Sequence, residues 1–86
     1  MIFELAGHGF AHDLAQRLRP AWLVWTEPRE NGWAVSVELR PVADDLPHLF
    51  REVGTWAGES NLRGVAFELD GRVYTLLRRN PLGMTA

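Results

Sequence analysis

The chain has 86 residues, a net charge of −2 and no cysteine. This length accommodates one domain around one hydrophobic core, and the lack of cysteine excludes disulfides and thiolate metal sites. The basic residues are not clustered beyond Arg78 and Arg79, so we expect no binding to nucleic acid. The start of the chain carries no leader pattern and no apolar run reaches about 18 residues, so we expect a cytoplasmic protein without membrane contact.

The first part of the chain predicts a strand followed by a helix. Residues 2–5 form a short strand-like run, which the glycines of Gly7-His8-Gly9 interrupt. Between residues 8 and 19, apolar side chains recur with the helical period, so one stripe of this helix is expected to face the core. The stripe consists of Phe10, Ala11, Leu14, Ala15 and Leu18. Pro20 ends the helix because proline has no N–H to donate.

Residues 22–27 and 33–40 are predicted to form two antiparallel strands, since the first is rich in aromatic and branched residues and the second alternates cleanly. The segment between them contains Pro28 and ends with Asn31-Gly32, a pair that favours a hairpin turn. Loops carried by rigid sheets often hold recognition residues, so this loop is a further candidate for function.

Two registers are open for this hairpin. A two-residue loop at Asn31-Gly32 turns Leu23 and Trp25 away from the core. A longer loop over residues 28–32 reverses the alternation and turns Trp22 and Val24 outward instead. Either register leaves one tryptophan on the side of the sheet that has fewer helices.

A second helix is predicted to begin after Asp44, which is expected to act as its N-cap. Asp45 is expected to complement the helix dipole in the same first turn. Apolar side chains then follow at helical spacing. They are Leu46, Leu49, Phe50, Val53 and Trp56.

The last predicted elements are two strands joined by a two-residue turn at Asp70-Gly71. This turn places Phe67 opposite Tyr74 and directs Val73 and Leu77 to the other side of the sheet. The ordered domain is expected to cover residues 1–78. Residues 79–86 have no periodicity and predict a disordered tail.

The order of elements predicts an α+β fold. Strand, helix, strand, strand, helix, strand is the order of a ferredoxin-like β-α-β-β-α-β sandwich, with two helices on one face of an antiparallel sheet. The seventh element is an extra C-terminal strand. This arrangement leaves the second face of the sheet without helices.

Surplus apolar side chains are expected on that second face. They are Trp22, Leu23, Trp25, Val73 and Leu77. One interpretation is that the tail and arginine stems cover them, because single exposed apolar residues are common. Another is a contiguous patch for self-association or partner binding, since monomers seldom expose large apolar areas. The third is a site for a small apolar ligand.

Histidines and glycines near the first helix supply the only chemical candidates. His8 and His12 are four residues apart, as two metal ligands on one helix face would be, and Asp13 or His48 would have to supply a third ligand. Gly7, His8 and Gly9 precede a helix N-terminus and form a possible anion or ligand loop. Neither serine lies in a nucleophile motif.

The sequence therefore predicts a non-catalytic protein-interaction module without a cofactor or a bound metal. Its expected partner is a second copy of the chain or another protein, held by the apolar sheet face. The alternatives are a small-ligand-sensing regulatory domain and a small metal-dependent enzyme.

Overall fold

The computed structural model describes residues 1–79 and contains seven elements. In chain order they are β1 (Ile2–Leu5), α1 (His8–Leu18), β2 (Leu23–Arg29), β3 (Gly32–Glu38), α2 (Asp45–Glu59), β4 (Gly64–Leu69) and β5 (Arg72–Leu77). Two helices pack on a five-stranded antiparallel sheet, so the predicted α+β class is confirmed. Within these residues, no helix is long and apolar enough to cross a membrane.

The sheet has the strand order β2-β3-β1-β4-β5. The short strand β1 lies in the centre and pairs antiparallel with β3 on one side and with β4 on the other. The two hairpins, β2-β3 and β4-β5, therefore flank the first strand of the chain. The edges of the sheet are β2 and β5.

Both helices pack on one face of the sheet, where alternate residues of the central strands meet. Phe3 of β1 stands beside Val35 of β3 and Phe67 of β4, and these three side chains form the floor of the core. The helices cover this floor with apolar stripes at the predicted spacing, except that Phe10 of the first predicted stripe is exposed. Their fully buried members include Leu14 and Leu18 of α1 and Leu49 and Val53 of α2.

The loop of the first hairpin differs from both predicted registers. The loop residues are Glu30 and Asn31, and Gly32 already belongs to β3, where it pairs with Arg29. Gly32 is needed there because a Cβ atom would collide with the carbonyl oxygen of Leu5 in β1. The position does require glycine, as predicted, but the reason is the close approach of two strands and not a turn.

The second hairpin confirms the predicted pairing. Phe67 lies opposite Tyr74 across the turn. Asp70 and Gly71 both have positive φ, at 53° and 77°, which is the geometry of a type I′ turn. Of the segment predicted to be a disordered tail, Arg79 donates its backbone N–H to Gly54 at 2.9 Å. The remainder of that segment lies outside the described residues.

Candidate interaction surface

The face of the sheet opposite the helices is called the open face here, because no element among residues 1–79 packs on it. Its residues stand in cross-strand rows. One row consists of Trp25, Ser36, Ile2, Glu68 and Val73, one residue from each strand. The next row consists of Glu27, Ala34, Glu4, Ala66 and Thr75. The open face thus extends over all five strands.

Four of the predicted interface residues are exposed on the open face. Leu23 and Trp25 are 66% and 52% exposed, and Val73 and Leu77 are 66% and 72% exposed. They do not form one patch, because the first two belong to β2 and the others to β5, at opposite edges of the sheet. Four interstrand spacings separate them, about 19 Å. We call the two groups the β2 patch and the β5 patch.

The fifth predicted residue, Trp22, is not on the open face. Its side chain is only 6% exposed and belongs to the hydrophobic core. The indole Nε1 donates a hydrogen bond of 3.0 Å to the Asp45 carboxylate. Of the two tryptophans that the register left open, the structure buries Trp22 and exposes Trp25.

Strand β3 contributes small side chains to the open face. Ala34 is fully buried and Ser36 nearly so, although no helix covers them. Both are short, and their cross-strand neighbours are larger: Trp25 stands beside Ser36, and Glu4 and Glu27 stand on the two sides of Ala34. Larger side chains of β2 and β1 therefore flank the small residues of β3 on both sides, which accounts for the burial of Ala34 and Ser36.

The open face is also acidic. It carries four exposed glutamates, namely Glu4, Glu27, Glu38 and Glu68. Arg29, at the end of β2, forms an ion pair with Glu27 at 3.2 Å, and an exposed pair of this kind adds little stability. Among residues 1–79, Glu4, Glu38 and Glu68 form no ion pair, so their charge would attract a basic partner.

A polar cluster that the sequence analysis missed joins the start of α2 to the ends of α1 and β3. Asp45 is buried and accepts hydrogen bonds from Trp22 Nε1, from the Arg40 backbone N–H at 2.7 Å and from Arg40 Nε at 2.7 Å. Asp44 occupies the N-cap position but its side chain makes no capping bond, so the predicted capping role is wrong. Asp45 instead links three segments of the chain through its hydrogen bonds.

The environment of Asp45 keeps its carboxylate charged. Burial alone would raise the pKa of Asp45, but the hydrogen bonds from Trp22 and Arg40, together with the guanidinium charge, lower its pKa below the ordinary 3.8. Arg40 also lies over the Trp22 ring, 5.0 Å from its centre, and 3.3 Å from His48 Nδ1. The buried Asp45 carboxylate is satisfied by donors from Trp22 and Arg40, which is typical of a structural network.

The histidines of the predicted metal site lie together but without a third ligand. The rings of His8 and His12 are 6.1 Å apart, and His8 contacts the Trp33 ring at 4.6 Å. His48 is in the Asp45 cluster, where it packs against Trp22 at 4.8 Å. Among residues 1–79, no group of three or more potential ligands is placed to hold a metal ion.

The predicted ligand loop lies at the N-terminus of α1, where no side chain caps the helix. Gly7 is the N-cap with extended backbone, and a Cβ atom at Gly7 or Gly9 would meet no atom within 4 Å apart from its neighbours in the chain and the helix backbone. Residues 29–33 of the first hairpin line a cleft of about 320 Å³ with Glu4 and Leu5. A role for either loop stays a prediction.

The chain was also compared with known proteins. Searches against protein-family models, curated proteins and solved structures found no match. Functional reasoning therefore starts from the geometry of the open face.

Proposed function

We propose that the chain is a non-catalytic protein-interaction module and that the open face is its contact surface. The observation that carries this proposal is the exposure of Leu23, Trp25, Val73 and Leu77 on the face without helices. Apolar side chains of this size are costly to leave in water, and exposed apolar groups bordered by charges are typical of protein contact sites.

We further infer a ferredoxin-like β-α-β-β-α-β sandwich with β5 as an added strand. The strand order supports it, because each helix links two strands that are not neighbours. The connection through α1 leaves β3 between β1 and β2, and the connection through α2 leaves β1 between β3 and β4. Such split units place both helices on one side of the sheet.

The charge of the open face favours a partner other than a second copy of this chain. Stacking two open faces would bring glutamates of one copy towards glutamates of the other, and buried like charges cost several kcal/mol. A partner with apolar groups and Lys or Arg side chains would satisfy both features of the surface. The open face therefore fits a basic, partly apolar protein surface wide enough to reach both patches.

Site-specific photocrosslinking in living cells that express the protein tests this proposal. A photoreactive residue replaces Trp25 in one variant and Val73 in another, and a third variant carries it at Val42. Val42 is 53% exposed and lies between β3 and α2, outside the sheet, so it is a matched apolar control. We expect the same partner, identified by mass spectrometry, at both sheet positions and not at Val42.

The identified partner is then purified and its affinity measured. We expect Trp25→Arg to raise the Kd at least tenfold, which corresponds to about 1.4 kcal/mol, and Val42→Arg to leave it unchanged. Different adducts at Trp25 and Val73, or equal crosslinking at Val42, would contradict the proposal. A crosslink between two copies at both sheet positions would instead identify the partner as the chain itself.

A further inference from the structure

The outer edge of β5 carries unpaired backbone groups. The type I′ turn makes Leu69 and Arg72 a hydrogen-bonded pair, so the peptide groups of alternate residues from Arg72 point towards β4. The same alternation continues to Arg78, which donates its backbone N–H to the carbonyl oxygen of Arg63 at 2.8 Å. The N–H and C=O groups of Val73, Thr75 and Leu77 therefore point outward, and β5 has no second neighbour among the described residues.

This edge lacks the features that usually prevent strands from pairing between molecules. The opposite edge strand, β2, contains Pro28 and the charged residues Glu27 and Arg29. Strand β5 contains no proline and no acidic residue, and its only charge is Arg72 at the start. Strand β5 is also mostly apolar and exposed. Exposed apolar edge strands of this kind readily pair with a strand of another molecule.

We propose that β5 pairs antiparallel with β5 of a second copy, giving a continuous sheet of ten strands, five from each chain. A two-fold contact of this kind uses the same strand twice, so it needs no further complementary surface. The proposal concerns the sheet edge and is independent of what binds the open face.

Backbone parity and charge select the register of this pairing. The outward-pointing peptide groups of one β5 must face the outward-pointing peptide groups of the other. The two-fold axis therefore passes through the position of one residue and not between two residues. An axis at Thr75 would place Arg72 opposite Arg78 of the second copy, a repulsive contact. An axis at Tyr74 places Val73 opposite Thr75 of the second copy and brings Arg78 of the second copy to the turn end of β5, where Asp70 carries the opposite charge. We therefore assign the axis to Tyr74.

The register has a consequence for both faces. Tyr74, already stacked on Phe67 at 5.3 Å, meets Tyr74 of the second copy and extends the aromatic row across the interface. On the open face, the β5 patches of the two copies become neighbours at the centre of the joined sheet. The β2 patches remain at its two outer ends.

Analytical ultracentrifugation over a wide concentration range tests the pairing with a matched pair of variants. We expect the wild-type mass to rise from 9.8 kDa towards twice that value as the concentration increases. Thr75→Pro removes one outward N–H that β4 does not use, so it should fold and raise the dimer Kd at least tenfold. Thr75→Val keeps the N–H and should dimerise like the wild type.

Circular dichroism shows whether Thr75→Pro folds. If it does not fold, a second pair of variants tests the same pairing. Arg78→Glu and Arg72→Glu change the net charge equally, but only Arg78 approaches Asp70 of the second copy. We expect Arg78→Glu to weaken the dimer and Arg72→Glu to affect it less.

Three results would overturn the edge pairing. They are a wild type that stays monomeric at every concentration, a folded Thr75→Pro variant that dimerises like the wild type, and a dimer that is lost in Trp25→Arg but kept in Thr75→Pro. The last result would identify an open-face dimer, so the two proposals fail in distinguishable ways. Loss of partner crosslinking with an intact β5 dimer would contradict only the proposed function.

Discussion

The two faces of the sheet are built from alternate residues of the same strands, yet they differ in the size and polarity of their side chains. On the helix side, Phe3, Val35 and Phe67 form a closed apolar floor. Moving one residue along each strand leads to Ile2, Ser36 and Glu68 on the open face. The pleat of the strands thus places side chains of the hydrophobic core and side chains of the open face next to each other in the chain.

The largest difference between the faces is expected for the neighbours Phe3 and Ile2. Phe3→Ala removes a fully buried ring and should lower the free energy of unfolding by about 3–5 kcal/mol. Ile2→Ala acts on a half-buried side chain and should cost about 1 kcal/mol. Urea denaturation measures both. Equal losses would mean that the open face is covered as completely as the helix side.

Asp45 is a buried charged residue on the helix side of the sheet. Replacing it should have an intermediate effect on the free energy of unfolding. Because its pKa is lower in the folded protein than the ordinary 3.8, the carboxylate stabilises the fold above pH 3.8 and loses this contribution as the pH falls through the folded pKa. Asp45→Asn should therefore melt below the wild type at neutral pH, by a margin that shrinks in acid.

Asp44→Asn is the control for this measurement, since it makes the same chemical change at the adjacent, exposed residue. Thermal melts of all three proteins between neutral pH and pH 3 provide the comparison. A constant gap between the wild type and Asp45→Asn at every pH would show that the carboxylate's charge is not what stabilises the cluster.

The smallest effect on stability is expected for Trp25, in the β2 patch of the open face. Trp25→Arg should lower the free energy of unfolding by less than about 1 kcal/mol, because no element among residues 1–79 packs on the half-exposed side chain and the aliphatic stem of arginine can still shield Ser36. Trp25→Phe, which keeps an aromatic ring, is the control. A loss of more than about 2 kcal/mol by Trp25→Arg alone would assign this tryptophan to the core.

The sequence predicted most of the fold but only part of the candidate site. Hydrophobic alternation identified Val73 and Leu77 as outward-facing, and the Asp70-Gly71 turn gave the correct pairing of the second hairpin. The role of Gly32 was misread, because the carbonyl that crowds it belongs to Leu5, far away in the chain. Asp45 lies in the first turn of α2 as predicted, but its hydrogen-bond cluster was missed for the same reason, since Trp22, one of its donors, lies 23 residues away.

Local patterns in the chain were sufficient for the order of the elements, the stripes of the helices and the turn chemistry of one hairpin, because each depends on neighbours within a few residues. Only the tertiary structure decided that the exposed apolar residues form two patches instead of one. The strand order places β2 and β5 at opposite edges of the sheet. That order results from packing two helices against a sheet with β1 at its centre, which no local pattern encodes.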